Sequence, residues 1–565
     1  MNWEQKSHAD KQKIEDLESE LGVPKIISTL LVQRGIQDFN SAKNFFRPSL
    51  DKLNDPFLMK DMDIAVNRIN NAKLNNEIIM IYGDYDVDGV TSVTLLYLYL
   101  SDFFENIIPY MPDRNEEGYG VSFKGIDIAF KKGVTLIIAL DCGIKAKKQV
   151  LYAEKKGIDF IICDHHIPSK EIPPAKTILN PKRQECGYPF KELCGCGIGF
   201  KLVQALSLNW DIDVNKIKKY LDLVAIATIS DLVPLNGENR ILCYYGIMEL
   251  EKNKRLGLKS IIRLLKKPIR ANDVSFKIAP RINSAGRMNH AIQAFRLLIS
   301  NRIHLAEKQN NIIEQFNNER KKIDKKITEE AVSQIKKLNE ENLFTSVVYD
   351  KDWNKGVLGI VASRLIETFY RPTVVLCSSG NYFIGSVRSI RDFDVHKILD
   401  MCQEHIIEYG GHKYAAGLKI KAAKYFDFKK SFENAVKDKI SKHEKNPKII
   451  YDFEIELDQI TAKVVRIINQ MRPFGPKNNV PIFKTSNCFD SGNSKIVGKN
   501  NEHLKLEISN NKKNMISGIA FGNSDKLNQI KSGNPFDILY SIEENKWNGK
   551  SSIQLKIKEI QIKKP

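Results

Sequence analysis

The sequence has no long apolar run and no secretory leader pattern. No stretch approaches the roughly 18 consecutive apolar residues that a membrane-spanning helix needs. The N-terminal segment MNWEQKSHADKQKIEDLESE is polar and partly acidic, unlike a signal peptide, which has a basic start and an apolar middle. These two absences predict a cytoplasmic protein that is not associated with a membrane.

The sequence also lacks a paired arrangement of cysteines. Its nine cysteines are scattered, and several lie inside apolar runs. The closest group, Cys186 with Cys194 and Cys196, has no second pair of ligands of the kind that a structural zinc site requires. We therefore expect buried free thiols in a reducing compartment, with zinc binding as the weaker alternative.

Positive charge is what the sequence has in excess. Over 565 residues the formal net charge is +19, and the isoelectric point is about 9.2. Such an excess indicates a polyanionic partner, either nucleic acid or an anionic membrane surface. A genome that favours Lys codons would give the same excess without a partner, and the many Asn and Ile residues fit that alternative.

Three short apolar runs alternate with amphipathic segments between residues 76 and 235. EIIMIY, VTLIIAL and DFIICD have the composition of strands, and TSVTLLYLYLSDFF and KAKKQVLYAEKKG, which have helical spacing, lie between them. Strand–helix–strand alternation is typical of a parallel, doubly wound sheet. The fold class is therefore predicted to be α/β.

The later regions differ in composition. The segment from AEKQNN to SQIKKL predicts one long charged helix, a type that often bridges two domains. Short alternating strands such as HLKLEIS and FDILYSI near the C-terminus predict a small antiparallel barrel, an OB-fold, which is a common single-strand-binding module. The predicted regions are an N-terminal helical cap (1–60), a sheet domain (61–290), a connecting helix (291–342), a second α/β domain (343–440) and the barrel (445–565).

Acidic and histidine residues follow all three predicted strands, where each strand ends. They are Asp84, Asp86 and Asp88 after the first strand, Asp141 after the second, and Asp164, His165 and His166 after the third. A further acid, Asp231, follows the apolar helix YLDLVAIATIS. Because the carboxyl ends of parallel strands lie on one edge of a sheet, we expect these side chains to converge.

So many carboxylates at one edge need compensation. A buried carboxylate without a partner costs several kcal/mol, and divalent cations are the usual partners. Aspartates with histidine suit Mn²⁺, Mg²⁺ or Zn²⁺, and two ions roughly 4 Å apart would bridge an attacking hydroxide and a phosphoryl oxygen. The alternative is that each acid caps the helix after its strand, as Asp often does. That alternative explains one such residue better than it explains six.

These motifs resemble a known family. GDYDVDGVTS, DCG, DHH and ISDLVPLNGENR, in this order, closely resemble the DHH phosphoesterase superfamily. Further segments are similar to the RecJ family within it, and they are MPDRNEEGYG, LCGCGIGFKL, APRINSAGRM, WNKGVLGIVASRL, GSVRSI, YGGHKYAAG, RPFGPKNNVPIF and HLKLEIS. The resemblance covers nearly the whole chain.

The resemblance implies an activity. It implies a two-metal exonuclease, using Mn²⁺ or Mg²⁺, that degrades single-stranded DNA from the 5′ end to mononucleotides in DNA repair and recombination. The implied partners are single-stranded DNA, a single-strand-binding protein and a helicase, and the implied state is a monomer.

The resemblance also implies roles for the residues of the sheet edge. One ion would be held by Asp84, Asp86 and a bridging Asp141, and the other by Asp88, Asp141, His165 and Asp231. Asp164 would orient a neighbouring histidine, and His166 would contact the scissile phosphate.

A phosphate clamp is expected in the second α/β domain. GSVRS supplies a small-residue turn, the Ser386 hydroxyl and Arg388, which suit bidentate phosphate binding. Gly410, Gly411 and His412 would allow close approach of backbone to a ligand beside an imidazole.

Other candidate DNA contacts each have a structural alternative. For Arg388 the alternative is a surface ion pair. Arg114, Arg281 and Arg287 are candidates for phosphate contacts or, equally, for structural salt bridges, and Tyr119 is a candidate for base stacking or for packing.

Two departures from the family pattern leave local functions open. Asn354 stands where the family usually has His, and GPKNN stands where GxGNP is common. Two other functions remain as alternatives. One is a related phosphoesterase acting on cyclic dinucleotides or very short oligonucleotides, and the other is a non-catalytic replication scaffold.

Overall fold

A computed structural model describes residues 2–7, 10–441, 446–510, 515–547 and 550–563. The chain forms two compact units. One contains residues 1–52, 234–236 and 448–565, and the other contains residues 53–233 and 237–447. Lys445, where the sequence places the start of the barrel, lies outside the described residues.

The N-terminal residues form one short strand and three helices: β1 (Asn2–Gln5), α1 (Lys11–Leu21), α2 (Lys25–Val32) and α3 (Phe39–Phe46). Asp10 begins α1 by accepting hydrogen bonds from the backbone N–H groups of Gln12 and Lys13. Asp38 and Ser41 begin α3 with a reciprocal capping pair, a common way to satisfy the unpaired N–H groups of a helix start.

The sheet domain and the connecting region after it hold five strands and twelve helices. In chain order they are α4 (Met62–Leu74), β2 (Ile78–Gly83), α5 (Val87–Leu100), β3 (Ile107–Tyr110), α6 (Phe123–Lys131), β4 (Val134–Leu140), α7 (Lys147–Glu154), β5 (Asp159–Cys163), β6 (Thr177–Leu179), α8 (Gly195–Asn209), α9 (Leu221–Ser230), α10 (Gly237–Lys252), α11 (Leu256–Arg263), α12 (Ala271–Asp273), α13 (Ala279–Met288), α14 (Ile292–Ile299) and α15 (Ile303–Lys337).

This sheet is parallel throughout, with strand order β3-β2-β4-β5-β6. Helices α6 and α7 pack on one face, and α5 and α8 pack on the other. The α/β fold class is therefore confirmed. The chain runs from β2 to β3 on one side and then crosses back to β4 on the other side of β2, so the direction in which strands are added reverses there. Ligands bind at such switch points in open α/β sheets.

The connecting helix starts later than the sequence suggests. Residues 292–299 form the separate helix α14, and the long helix α15 begins at Ile303. The buried residues Ile327, Ala331 and Ile335 near the C-terminal end of α15 pack into the core of the second α/β domain. Toward its N-terminal end, α15 packs against α13 and α14. One rigid helix thus joins the two domains of this unit.

The second α/β domain consists of β7 (Ser346–Tyr349), α16 (Leu358–Phe369), β8 (Thr373–Ser379), β9 (Tyr382–Arg388), α17 (Val395–Met401), β10 (Ile406–His412), β11 (Ala415–Lys421) and α18 (Tyr425–Lys439). Its sheet has the order β10-β11-β9-β8-β7, in which only β7 and β8 pair in parallel.

The C-terminal elements are β12 (Lys448–Tyr451), β13 (Phe453–Glu454), α19 (Ala462–Gln470), β14 (Phe483–Asp490), β15 (Lys495–Val497), β16 (His503–Ser509), β17 (Ile516–Ala520), α20 (Leu527–Ile530), β18 (Phe536–Trp547) and β19 (Lys550–Ile562). The sheet order is β13-β14-β18-β19-β17-β16-β15, and an extra pairing of β14 with β16 partly closes the barrel. The barrel was predicted to be antiparallel, but β17 pairs with β19 in parallel, so the sheet is mixed.

The N-terminal helices belong to the core of this barrel unit. Ile14, Leu17, Ile27 and Leu30 are buried in one cluster with apolar side chains of α19 and of the barrel strands. Strand β1 pairs in parallel with β12. Residues at the two ends of the chain therefore share one hydrophobic core.

Candidate metal centre and phosphate-binding cluster

The loop after β2 places three aspartates around the start of α5. One carboxylate oxygen of Asp86 accepts hydrogen bonds from the N–H groups of Asp88 (2.9 Å) and Gly89 (3.2 Å), so Asp86 caps the helix. A side chain on Gly89 would lie 2.3 Å from the carbonyl oxygen of Asp84, which explains the glycine. The capping alternative thus accounts for one oxygen of Asp86 and leaves Asp84 unexplained.

Asp88 is held by the start of another helix. Its two carboxylate oxygens accept hydrogen bonds from the N–H groups of Gly195 and Cys196, both at 2.7 Å, where α8 begins. A side chain on Gly195 would lie 2.5 Å from Cβ of Asp141, so only glycine allows this approach. Burial and the charge of Asp86 raise the pKa of Asp88 to about 6, although the two hydrogen bonds oppose this.

His165 lies among the remaining acids. Its Nε2 atom is 3.2 Å from Asp141, 3.6 Å from Asp231 and 3.9 Å from Asp88. Asp141 has a φ of +60°, a left-handed conformation that is rare outside glycine. Such strained backbone clusters at functional sites.

The acids and histidines form three groups whose ligand atoms lie within 4.8 Å of one another in each group. The groups are Asp84, Asp86 and Asp141; Asp88, His165 and Asp231; and Asp141, His165 and His166. Asp141 and His165 each belong to two of them, so the groups are neighbours. The expected convergence of strand ends is therefore what the fold produces.

Several buried polar atoms in these groups have no hydrogen-bond partner among the described residues. They are Oδ1 of Asp84, Oδ1 of Asp141, and Nδ1 and Nε2 of His165. Buried polar atoms are normally paired, so these atoms fit ligands of metal ions. Burial lowers the pKa of His165 to about 3, which keeps the imidazole neutral and able to bind a metal. Carboxylates with one imidazole suit Mn²⁺ or Mg²⁺.

The same geometry predicts how stability depends on pH when no metal is bound. Burial and neighbouring carboxylates raise the pKa of Asp84, Asp141 and Asp231 well above the usual value. The folded state therefore binds more protons than the unfolded state near neutral pH. Its stability should fall as the pH rises from about 5 to about 8. Unfolded His165, with a pKa of about 6.5, takes up a proton that the folded imidazole does not and so opposes this fall below about pH 7, but it is one group against three acids.

Thermal melts across that window, in a chelator and in excess Mn²⁺, measure this effect. The melting temperature should fall with pH in the chelator. It should no longer fall in Mn²⁺, because metal ions compete with protons for the same oxygens. A flat profile in the chelator would show that the acids are not repelling one another.

His166 is oriented by two side chains. Asp164 accepts hydrogen bonds from its Nδ1 (2.7 Å) and its backbone N–H (3.1 Å), and also from the N–H of Ile144 (2.9 Å). Burial works against it, but the bond from His166 lowers the pKa of Asp164 to about 2. The other ring nitrogen, Nε2, lies 3.1 Å from the hydroxyl of Tyr119. The imidazole is thus fixed at the metal edge.

A cluster of positive charges lies in the same unit, and we call Arg114, Arg287, Lys355 and Arg388 the cationic cluster. Burial, then the charges of Arg114 and Arg388, lower the pKa of Arg287 to about 9. Burial and the charge of Arg114 also lower the pKa of Lys355 and of Arg388. Within the described ranges none of the four forms an ion pair with a carboxylate. Half-buried cations without counter-ions fit an anionic ligand.

The cluster is assembled from both domains of this unit. Arg287 donates from Nη1 to the carbonyl of Gly356 (2.9 Å). Arg388 donates to the Ser386 hydroxyl and to the carbonyl of Val387, both at 2.8 Å. Arg114 lies over the ring of Tyr85, 5.0 Å from its centre.

The other predicted DNA contacts lie outside the cationic cluster, and each has a different environment. Arg281 pairs with Glu314 of α15, which is the structural salt bridge that the sequence left open. Tyr119 is 58% exposed beside His166, so its ring is accessible to a base. Gly410, Gly411 and His412 end strand β10, and His412 is exposed.

The two departures from the family pattern have local structural functions. Oδ1 of Asn354 accepts a hydrogen bond from the N–H of Gly356 (2.8 Å) and so fixes the turn that Arg287 contacts. Asn478 of GPKNN is buried and donates to the carbonyls of Met471 and Pro473, both at 2.8 Å. Each asparagine therefore holds backbone in place.

Sequence reasoning missed Lys355 and the contact of Asp88 with α8. Lys355 lies inside the WNKGV motif, but a lysine in a loop carries no signal of its own. The glycines of the LCGCG segment are the signal in the sequence for a close backbone approach.

Comparisons with known proteins agree with the fold. Three family models match: the DHH family N-terminal domain at residues 78–228, the DHHA1 domain at 340–438, and the RecJ OB domain at 451–559. The chain is similar over its whole length to a solved RecJ structure from Thermus thermophilus in complex with Mn²⁺, with a TM-score of 0.86, 23% identity and 80% of that chain covered. At that identity the likeness supports the fold.

Curated relatives carry the family assignment. The single-stranded-DNA-specific exonuclease RecJ of Bacillus subtilis is 36% identical over all of this chain and 71% of its own length. The enzyme of that name from Haemophilus influenzae is 30% identical over 91% of this chain and 92% of its own. None of the described helices has the length and apolar composition of a membrane span.

The two relatives confirm the resemblance seen in the motifs, and the chain belongs to the RecJ family.

Proposed function

We propose that this protein is a metal-dependent exonuclease that hydrolyses single-stranded DNA from the 5′ end to mononucleotides, in DNA repair and recombination. The observation that carries the proposal is the pairing of two features in one unit. A set of buried acids and a neutral histidine lies at the switch point of the sheet. The cationic cluster, which has no carboxylate partners among the described residues, takes side chains from the sheet domain and from the second α/β domain.

Two divalent ions, Mn²⁺ or Mg²⁺, fit the acidic groups. Asp84, Asp86 and Asp141 would hold one, and Asp88, Asp141, His165 and Asp231 would hold the other. When bound, such ions polarise a phosphoryl oxygen and lower the pKa of a water molecule.

The side chains of the protein orient the strand. With Nδ1 bonded to Asp164, His166 presents Nε2 to the substrate, and a phosphate oxygen would take the place of the Tyr119 hydroxyl as its partner.

The cationic cluster would hold the terminal 5′-phosphate. An enzyme that releases mononucleotides must fix the end of the strand one nucleotide from the reacting bond. Arg388 would supply two parallel donors and Ser386 a hydroxyl, and the hydrogen bond from Nη1 of Arg388 to the Ser386 hydroxyl at 2.8 Å supports a ligand shared by the two side chains. Gly359 leaves room for the guanidinium, since a side chain there would lie 2.6 Å from Nη2 of Arg388.

The barrel would add affinity for the strand. Phe521 is 53% exposed, His503 packs edge-on against it at 4.9 Å, and the ammonium of Lys556 lies 5.9 Å from its ring. Lys505 of β16 and Lys556 of β19 are both directly opposite Ile519 of β17. Residues that are directly opposite share one face of a sheet, so these lysines lie on the same surface as the aromatic side chains. Exposed aromatic rings among cations are typical of surfaces that bind single strands.

Replacing Phe521 with alanine should weaken binding of a long strand by about 5-fold to 100-fold, because one stacked base is worth about 1–3 kcal/mol. Lys556→Gln should reduce the slope of log affinity against log salt by about one. The value of kcat at saturation should stay normal in both variants. Fluorescence anisotropy over a salt series, beside steady-state kinetics, measures these effects.

Phe426 provides the matched control, because it is an exposed phenylalanine (79%) outside the barrel unit. Phe426→Ala should bind normally, and an equal loss in Phe426→Ala and Phe521→Ala would remove the case for the barrel surface. Deletion of the barrel is a poorer test, since it would uncover the apolar side chains of α1 and α2.

A gel assay tests the proposed activity. Single-stranded, duplex and cyclic dinucleotide substrates are each incubated with the protein in Mn²⁺ and in EDTA. The proposal requires hydrolysis of the single strand in Mn²⁺ alone. Faster turnover of the cyclic dinucleotide would indicate the related phosphoesterase, and binding without cleavage would indicate a scaffold.

A further inference from the structure

The fifth strand of the sheet also ends in a polar residue at the metal edge. Strand β6 pairs in parallel with β5, with Leu179 opposite Cys163, and the N–H of Asp164 donates to the carbonyl of Leu179 at 3.1 Å. The next residue, Asn180, therefore stands beside Asp164 at the carboxyl end of the sheet. Its side chain is completely buried, with 0% exposure.

Both ends of the Asn180 carboxamide are used. Its Nδ2 donates to the backbone carbonyl of His166 at 2.9 Å, and its Oδ1 accepts from the backbone N–H of Lys182 at 2.8 Å. A buried amide that satisfies one carbonyl and one N–H ties two loops into one unit. One of these loops carries His165 and His166.

Three residues make complementary contacts with His166. Asp164 binds Nδ1 and the backbone N–H, Tyr119 meets Nε2, and Asn180 holds the carbonyl oxygen. Asp164 sets the rotation of the ring, but it cannot fix the peptide that follows His166. Only Asn180 does so among the described residues. Reacting groups must be held within about 0.5 Å of their working position, so this peptide bond matters for the ring.

We propose that Asn180 is a positioning residue of the hydrolytic site and that it acts through His166. This inference rests on the proposed function, in which His166 contacts the scissile phosphate. The end of β6 would then support the hydrolytic site, at the same sheet edge where aspartates follow β2, β4 and β5.

Two substitutions separate positioning from folding. Asn180→Ala removes both hydrogen bonds. Asn180→Asp has nearly the same shape and keeps the acceptor for Lys182, but it replaces the donor to His166 with an oxygen and adds a negative charge when ionised, a change that the control below shares. We expect both to lower kcat by about tenfold or more, because a misplaced catalytic group is costly. The KM and the Mn²⁺ stoichiometry from calorimetry should be unchanged.

Asn478 supplies the matched control. It is another buried asparagine (2% exposed) whose Nδ2 donates to backbone carbonyls, and it lies in the barrel unit. Asn478→Asp should lower the melting temperature as much as Asn180→Asp does and leave kcat at saturation normal. If the two variants lost kcat equally, the Asn180 effect would be one of stability.

The decisive experiment repeats Asn180→Asp in a His166→Ala background. If Asn180 acts through His166, the substitution should then change kcat by less than about twofold, since coupled residues are not additive. An undiminished loss of kcat in that background would overturn the proposed role of Asn180 and leave the proposed function intact. A normal kcat in His166→Ala itself would instead overturn the proposed role of His166, on which the inference rests.

Discussion

Replacement of Asp141 by asparagine is expected to lower kcat on single-stranded DNA by at least about a thousandfold, which corresponds to about 4 kcal/mol. Asp141 belongs to two of the three ligand groups, and its buried Oδ1 has no hydrogen-bond partner among the described residues. Loss of its charge should therefore reduce the binding of both ions, whose electrostatic effect on phosphoryl transfer is worth several kcal/mol.

Calorimetric titration with Mn²⁺ and circular dichroism measure the two sides of this prediction. The variant should keep its fold and bind fewer than two ions. Asp452→Asn is the control, because Asp452 is another buried aspartate (2% exposed) that pairs with Lys6 inside the barrel unit. It should retain both ions and a normal kcat. Two tightly bound ions and a near-normal rate in Asp141→Asn would rule out a bridging carboxylate.

Arg388→Ala is expected to lower kcat/KM by about tenfold to a hundredfold on strands with a 5′-phosphate. A charge-assisted hydrogen bond contributes about 1.5–3 kcal/mol, and Arg388 is a half-buried cation without a carboxylate partner among the described residues. The loss should be small on strands that end in a 5′-hydroxyl, because they lack the anion that the guanidinium would bind.

The comparison of the two strand ends is the internal control for Arg388. Arg388→Lys should fall between the wild type and Arg388→Ala, since lysine keeps the charge and loses the planar pair of donors. Equal losses on both strand ends would mean that Arg388 contacts an internal phosphate or supports only its own domain.

The sequence was sufficient to find the central strands and the long helix. Strands β2, β4 and β5 are buried apolar runs, and their pattern predicts a parallel sheet without further information. Strands β3 and β6 were missed. β3 is an edge strand of four half-buried residues that includes Pro109, and β6 has only three residues. Such short segments carry too little periodicity to be recognised.

Contacts between distant segments were beyond the sequence. The N-terminal helices were predicted as a separate cap, whereas Ile27 and Leu30 share a core with strands more than 400 residues later. The parallel pairing of β17 with β19 has the same origin, because alternation of apolar residues reports which face is buried but says nothing of strand direction.

The part of the candidate site that was predictable is the part that follows from one rule, namely that the carboxyl ends of parallel strands meet at one edge of a sheet. Convergence of Asp84, Asp141 and His165 follows from parallel strands alone. The contact of Asp88 with α8 and the grouping of Arg287 with Arg388 depend on how separate elements pack. Asp88 was predicted from its position after the first strand and Arg388 from the small-residue turn that carries it, but the partners of both residues required the structure.

The most direct measurement uses one single strand that carries different labels at its 5′ and 3′ ends, incubated with the full chain in Mn²⁺. We predict that the 5′ label appears first, as a mononucleotide, that the 3′ label stays on progressively shorter strands, and that neither is released in EDTA or by Asp141→Asn. Early release of the 3′ label as a mononucleotide, internal cleavage, or undiminished release in EDTA would contradict the account.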